Sequence, residues 1–139
     1  MNWNVLIVDD EPEILRTLKN FVKLSGYNAI VASGGEEALE IIRNEKVHVV
    51  LCDIKMPRMD GITLLGKIRE YDFSIQVIMM TGYSTFDLTL QALEKGAADY
   101  TLKPFENLEE VSRLITLATD RLGRWKQVLA GSSKSGEKM

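Results

Sequence analysis

Val47-His48-Val49-Val50-Leu51-Cys52-Asp53 decides the fold. Val49 to Cys52 are apolar without alternation, and a strand of that kind is buried on both faces, as in the interior of a parallel sheet. Val5-Leu6-Ile7-Val8 and Val77-Ile78-Met79-Met80 read the same way. Outward from these, apolar runs place five strands over Asn4–Val8, Asn28–Ala32, Val47–Cys52, Ile75–Met80 and Asp99–Leu102.

Helix signals fill the intervals. Pro12 stands where a first-turn proline belongs, and Ile14, Leu15, Leu18, Phe21 and Val22 follow at three- and four-residue spacing until Gly26 stops the helix. Ser33 and Glu36 are placed for a capping box ahead of Ala38, Leu39, Ile41 and Ile42. Asp60 caps a helix bearing Ile62, Leu65 and Ile68. A fourth helix spans Thr85 to Lys95 before Gly96, and Asn107 with Glu110 set up a fifth. Strand and helix alternate five times, which predicts an α/β sandwich of helices around a parallel sheet.

The 139 residues are 45% apolar and 27% charged, so a packed core is expected. A net charge of −3 argues against a basic nucleic-acid-binding surface. No apolar run reaches membrane-spanning length, and no signal segment opens the chain. A lone Cys52 excludes an internal disulfide framework and fits a reducing cytoplasm.

Ligands of doubly wound sheets bind beyond the carboxyl ends of the strands. Those ends read Asp9-Asp10-Glu11, Asp53, Thr81 and Lys103-Pro104. If the first and third strands are neighbours, Asp9, Asp10 and Asp53 share one small space. Three carboxylates there need a proton or a cation, and all-oxygen ligands with few protein donors suit Mg²⁺. Lys103 adds a compact positive charge and Thr81 a hydroxyl donor. A carboxylate nucleophile, a divalent ion, a lysine and a hydroxyl are the parts that receive a phosphoryl group and hold it. Asp53, alone at its strand end, is the better nucleophile. Asp9 and Asp10, adjacent in sequence, are better suited to metal.

Val8-Asp9-Asp10-Glu11-Pro12, Cys52-Asp53-Ile54-Lys55-Met56-Pro57-Arg58-Met59-Asp60-Gly61, Met80-Thr81-Gly82-Tyr83, Asp99-Tyr100 and Leu102-Lys103-Pro104-Phe105 together resemble the response regulator receiver domain of two-component signalling. The resemblance implies a CheY-like, flavodoxin-like sheet of order 2-1-3-4-5 wrapped by five helices, with the domain over 1–120. It implies Asp53 as phosphoacceptor. Asp10, Asp53 and the Lys55 backbone carbonyl would ligate Mg²⁺ (or Mn²⁺ as a substitute), with Asp9 acting through a water. Lys103 would bind the phosphoryl group, and Thr81 would hydrogen-bond it and drive the switch residue Tyr100. Other cofactors are not implied. A histidine kinase or phosphotransfer protein would be the donor, and the face of the fourth helix, fifth strand and fifth helix would control a partner or output domain. The resemblance also implies a cis bond before Pro104, and a long-lived phosphoryl group set by Lys55 and Tyr83.

Other classes fit less well. A Mg²⁺-dependent phosphatase with an Asp nucleophile usually carries a second Asp two residues on, where this chain has Lys55. A flavin carrier needs a Ser/Thr/Gly-rich phosphate cradle after the first strand, where Asp9-Asp10-Glu11 would repel phosphate. His48, the only histidine, opens the third strand at the amino-terminal edge and takes no site role.

Leu108, Val111, Ile115, Ala118, Leu122, Trp125 and Leu129 follow steps of three and four, a heptad seam. Docking on the sheet explains it to about Ala118. Beyond Asp120 the seam predicts a helical extension over 121–130 that can pair with a second copy, followed by a flexible tail over 131–139. Charge divides at the same place. Residues 1–120 hold 12 Lys or Arg against 19 Asp or Glu, net −7, and residues 121–139 hold 5 against 1, net +4.

Overall fold

The computed structural model describes residues 2–82, 85–103 and 108–138, with side chains described as far as residue 130. Strands β1 (Asn4–Val8), β2 (Asn28–Ala32), β3 (Val49–Asp53), β4 (Gln76–Thr81) and β5 (Asp99–Leu102) alternate with helices α1 (Pro12–Leu24), α2 (Gly35–Asn44), α3 (Gly61–Tyr71), α4 (Phe86–Glu94) and α5 (Leu108–Lys138). The sheet is parallel in the order β2-β1-β3-β4-β5, as expected.

The unbroken apolar strands now have a physical account. Leu6, Val8, Val50, Cys52, Val77 and Met79 face the core beneath α2, α3 and α4. Val5, Ile7, Val49, Leu51, Ile78 and Met80 face the core beneath α1 and α5. Each central strand therefore needs apolar residues at every position.

Several local expectations shift. β3 ends on Asp53 and β4 on Thr81, each one residue later than the apolar runs suggest. Backbone pairing, which apolarity does not report, sets those ends: Asp53 stands opposite Met80, and Thr81 opposite Leu102. The Ser33–Glu36 capping box does not form. Gly34 occupies the N-cap position without a side-chain cap, and Ser33 N–H donates to Glu37 Oε1 at 3.2 Å. The helix thus starts one residue later than expected, at Gly35, which lies against the Met59 side chain. The caps expected of Asp60 and Thr85 do form, accepting from Thr63 N–H and Leu88 N–H. Gly26 and Gly96, at φ of +97° and +94°, turn the chain after α1 and α4 in the left-handed region that glycine permits.

α5 continues through Gly123 and Gly131 to Lys138, so the expected flexible tail is helical backbone here. No proline interrupts residues 121–138, and a glycine costs a helix only about 1 kcal/mol relative to alanine. The Asn107 cap, the bond before Pro104, Phe105 and Tyr83 lie outside the described residues. No helix among the described residues is long and apolar enough to cross a membrane.

Candidate functional site: an acidic crevice at the carboxyl edge of the sheet

Pairing of β1 with β3, Val8 opposite Cys52, carries the next residues of both strands into one crevice. Asp9, Asp10 and Asp53 each present a carboxylate oxygen there, all within 4.8 Å of one another. Asp9 is fully buried and Asp53 is 4% exposed, whereas Asp10 is open to water. Asp9 Oδ1 accepts from Glu11 N–H at 2.9 Å, which fixes the turn into α1. Asp9 N–H donates to Ala32 O at 3.2 Å, which ties the same turn to β2.

Lys103 enters from the end of β5. Its Nζ lies 2.5 Å from Asp9 Oδ2 and 3.3 Å from Asp53 Oδ2. Lys103 N–H also donates to Thr81 O at 2.7 Å, joining the ends of β4 and β5. The lysine thus binds the metal-type carboxylate more closely than the nucleophile candidate. Strand position alone did not reveal that preference.

Electrostatics follows from burial and from the charges gathered in the crevice. Burial, then the Asp9 carboxylate, pushes the Asp53 carboxyl up to about 6, with Lys103 opposing and Asp10 reinforcing. Burial pulls the Lys103 ammonium down, but its hydrogen bond to Asp9 and the charges of Asp9 and Asp53 more than offset that and raise it. One lysine therefore leaves the three carboxylates under-neutralised. Oxygen donors in that number and charge fit a Mg²⁺-type ion that keeps several waters.

Thr81 is buried at the end of β4. Tyr100 packs against the core beneath α3 and α4. Its hydroxyl is buried and has no hydrogen-bond partner among the described residues. Cys52 is buried, donates to Asp53 O at 3.3 Å, and has its thiol pushed up by burial and then by Asp53. It is an inert neighbour of the crevice.

His48 lies at the opposite edge, as expected. Its Nδ1 accepts from Asn4 N–H at 3.0 Å, and its ring meets Trp3 edge-on at 5.0 Å between centroids. Gly61, part of the Cys52–Gly61 motif, also bears on the crevice. An added Cβ there would sit 2.1 Å from Asp53 O and 2.8 Å from Ile54 Cα. The signal was a glycine directly after a cap, where a better helix former would otherwise serve.

Comparison with known proteins agrees with this geometry. The family described as "Response regulator receiver domain" matches residues 5–115. The transcriptional regulatory protein ZraR of Escherichia coli K12 is 39% identical over 110 residues, covering 78% of this chain and 25% of its own. The chain thus spans about a quarter of that relative's length. Sporulation initiation phosphotransferase F of Bacillus subtilis is 39% identical over 106 residues, covering 76% of this chain and 86% of its own. The response regulator TrrA of Thermotoga maritima, solved in complex with Mg²⁺-BeF, has a TM-score of 0.76 at 32% identity, covering 84% of this chain and 98% of its own. The chain belongs to the response regulator receiver domain family, a signalling module of two-component systems.

Proposed function

We propose that this receiver takes a phosphoryl group on Asp53 from a histidine kinase or phosphotransfer protein. The convergence of Asp9, Asp10, Asp53 and Lys103 in one crevice carries this reading. An Asp53 carboxylate oxygen attacks phosphorus, the O–P bond forms, and the bond from phosphorus to the donor nitrogen breaks with its electron pair leaving on that nitrogen. Asp10, Asp53 and the Lys55 carbonyl would hold Mg²⁺ (or Mn²⁺ as a substitute), with Asp9 contributing through a water. The ion, when bound, neutralises charge on the transferring oxygens. Lys103 is within reach of a group on Asp53 and pairs with one of its oxygens. The chain in this way promotes its own phosphorylation and, with water, its own dephosphorylation, and it turns over no external substrate.

Thr81 hydrogen-bonds a second phosphoryl oxygen and draws the end of β4 inward. Tyr100, on β5 beside it, responds, and the α4–β5–α5 face changes. That face, or the extension of α5, pairs with a second copy or with an output domain, which the length of relatives such as ZraR supports, since the match covers only 25% of that protein. The cytoplasm is the compartment where such a donor and a single reduced cysteine fit together.

The test is intact mass after incubation with Mg²⁺ and a small acyl-phosphate donor. A gain of about 80 Da, for one phosphoryl group, is expected in the natural chain and not in Asp53→Ala. Continuous release of phosphate from varied esters without a mass change would refute the reading.

A further inference from the structure

Gly61 and Asp60 form the first turn of α3, directly behind the phosphoacceptor. Gly61 N–H donates to Ile54 O at 2.7 Å, and Ile54 N–H donates to Met80 O at 3.1 Å. The position of a Gly61 Cβ would be 2.1 Å from Asp53 O, 2.8 Å from Ile54 Cα and 2.9 Å from Asp53 C. All three are backbone atoms, so no side chain can swing aside to make room. Asp60 Oδ1 accepts from Thr63 N–H at 2.8 Å and fixes where that turn begins.

We propose that the first turn of α3 positions the reacting peptide: the bare Cα of Gly61, held in register by the Asp60 cap, seats the Asp53–Ile54 backbone. This aims the Asp53 carboxylate and the Lys55 carbonyl at one ion. The inference rests on the phosphoryl-acceptor reading above and adds two positioning residues to it. Neither touches the phosphoryl group. A methyl at Gly61 pushes the Asp53 carbonyl away, and a displacement near 1 Å at a reacting group costs about a hundredfold in rate at the extreme.

The experiment compares Gly61→Ala with Gly66→Ala on the same helix, where an added Cβ meets nothing within 4 Å. Mg²⁺ affinity, phosphorylation rate with the acyl-phosphate donor and thermal midpoint are read on each folded variant. Gly66→Ala should behave as the natural chain does. Gly61→Ala should lose about tenfold or more in phosphorylation rate and bind Mg²⁺ more weakly, while its circular dichroism stays native. Asp60→Ala should weaken Mg²⁺ binding several-fold, and Asp60→Asn, which caps without charge, should restore it.

Unaltered rate and Mg²⁺ affinity in folded Gly61→Ala would overturn the proposal. If Gly61→Ala does not fold, the Asp60 pair decides: equal Mg²⁺ affinity in the natural chain, Asp60→Ala and Asp60→Asn would overturn it. Failure of the natural chain to gain Asp53-dependent mass would instead refute the phosphoacceptor reading.

Discussion

Asp53 illustrates how a site residue costs stability. Its carboxyl is raised to about 6 in the fold, against 3.8 for the free group. The native state thus holds a proton that the unfolded state has lost between those values. The stabilising contribution is fully present below the unfolded value and is lost as pH rises through about 6. Asp53→Asn is therefore expected to stabilise the metal-free protein at pH 7.5 by about 1–3 kcal/mol, and by almost nothing at pH 3.5, as read by urea unfolding at both pH values. Added Mg²⁺ should raise the thermal midpoint of the natural chain and leave Asp53→Asn almost unmoved. His48 offers the opposite case. Burial, then the charges of Lys46 and Lys126, lowers its imidazole from 6.5, and the neutral ring accepts the Asn4 amide. Its stabilising effect is present above 6.5 and is lost as pH falls through the folded value. A proton NMR titration should place its midpoint below 6.5, and Lys126→Met should move it upward. Asp9, Asp10, Asp53 and Lys103 were legible because each is a charged residue at the end of an apolar run. Gly61 was not, because its contribution is the absence of atoms beside the backbone of Asp53 and Ile54, a contact that only the folded loop creates.

At the scale of the element, α5 joins two regimes in one helix. Val111, Leu114, Ile115, Ala118 and Leu122 are buried against the sheet, and Arg121 donates to Gln76 at the start of β4. Lys126 lies 5.8 Å above the Trp3 ring. Beyond Leu122, Trp125 and Leu129 of the same seam are 43% and 68% exposed, and Val128 beside them is 65% exposed. Leu122→Ala should cost about 2–4 kcal/mol in urea unfolding, and Leu129→Ala close to nothing in the monomer. The heptad spacing was readable in the chain. The sheet covers the seam as far as Leu122, one seam position beyond the Ala118 expected, because periodicity does not report where a neighbouring layer ends.

For the whole molecule, net −7 over residues 1–120 and net +4 over residues 121–139 separate an acidic switch from a basic helix. At about 1.5 Å per residue, the 31 residues of α5 extend roughly 46 Å, longer than the sheet it packs on. Trp125→Ala together with Leu129→Ala should lower self-association in sedimentation equilibrium. The same pair should leave Asp53-dependent phosphorylation intact, because the seam lies beyond the amino-terminal edge and the crevice at the other. The sequence by itself determined the number and order of the elements and the buried character of the central strands. It also determined the residue types at the carboxyl edge, because these depend on local periodicity and on the two faces each strand must satisfy. Only the tertiary structure decided that Lys103 seats on Asp9 more closely than on Asp53. It alone decided that the ends of β3 and β4 fall on Asp53 and Thr81, and that Gly61 abuts the Asp53 carbonyl. These are distances between segments far apart in the chain, set by strand register and helix packing, and no single segment encodes them.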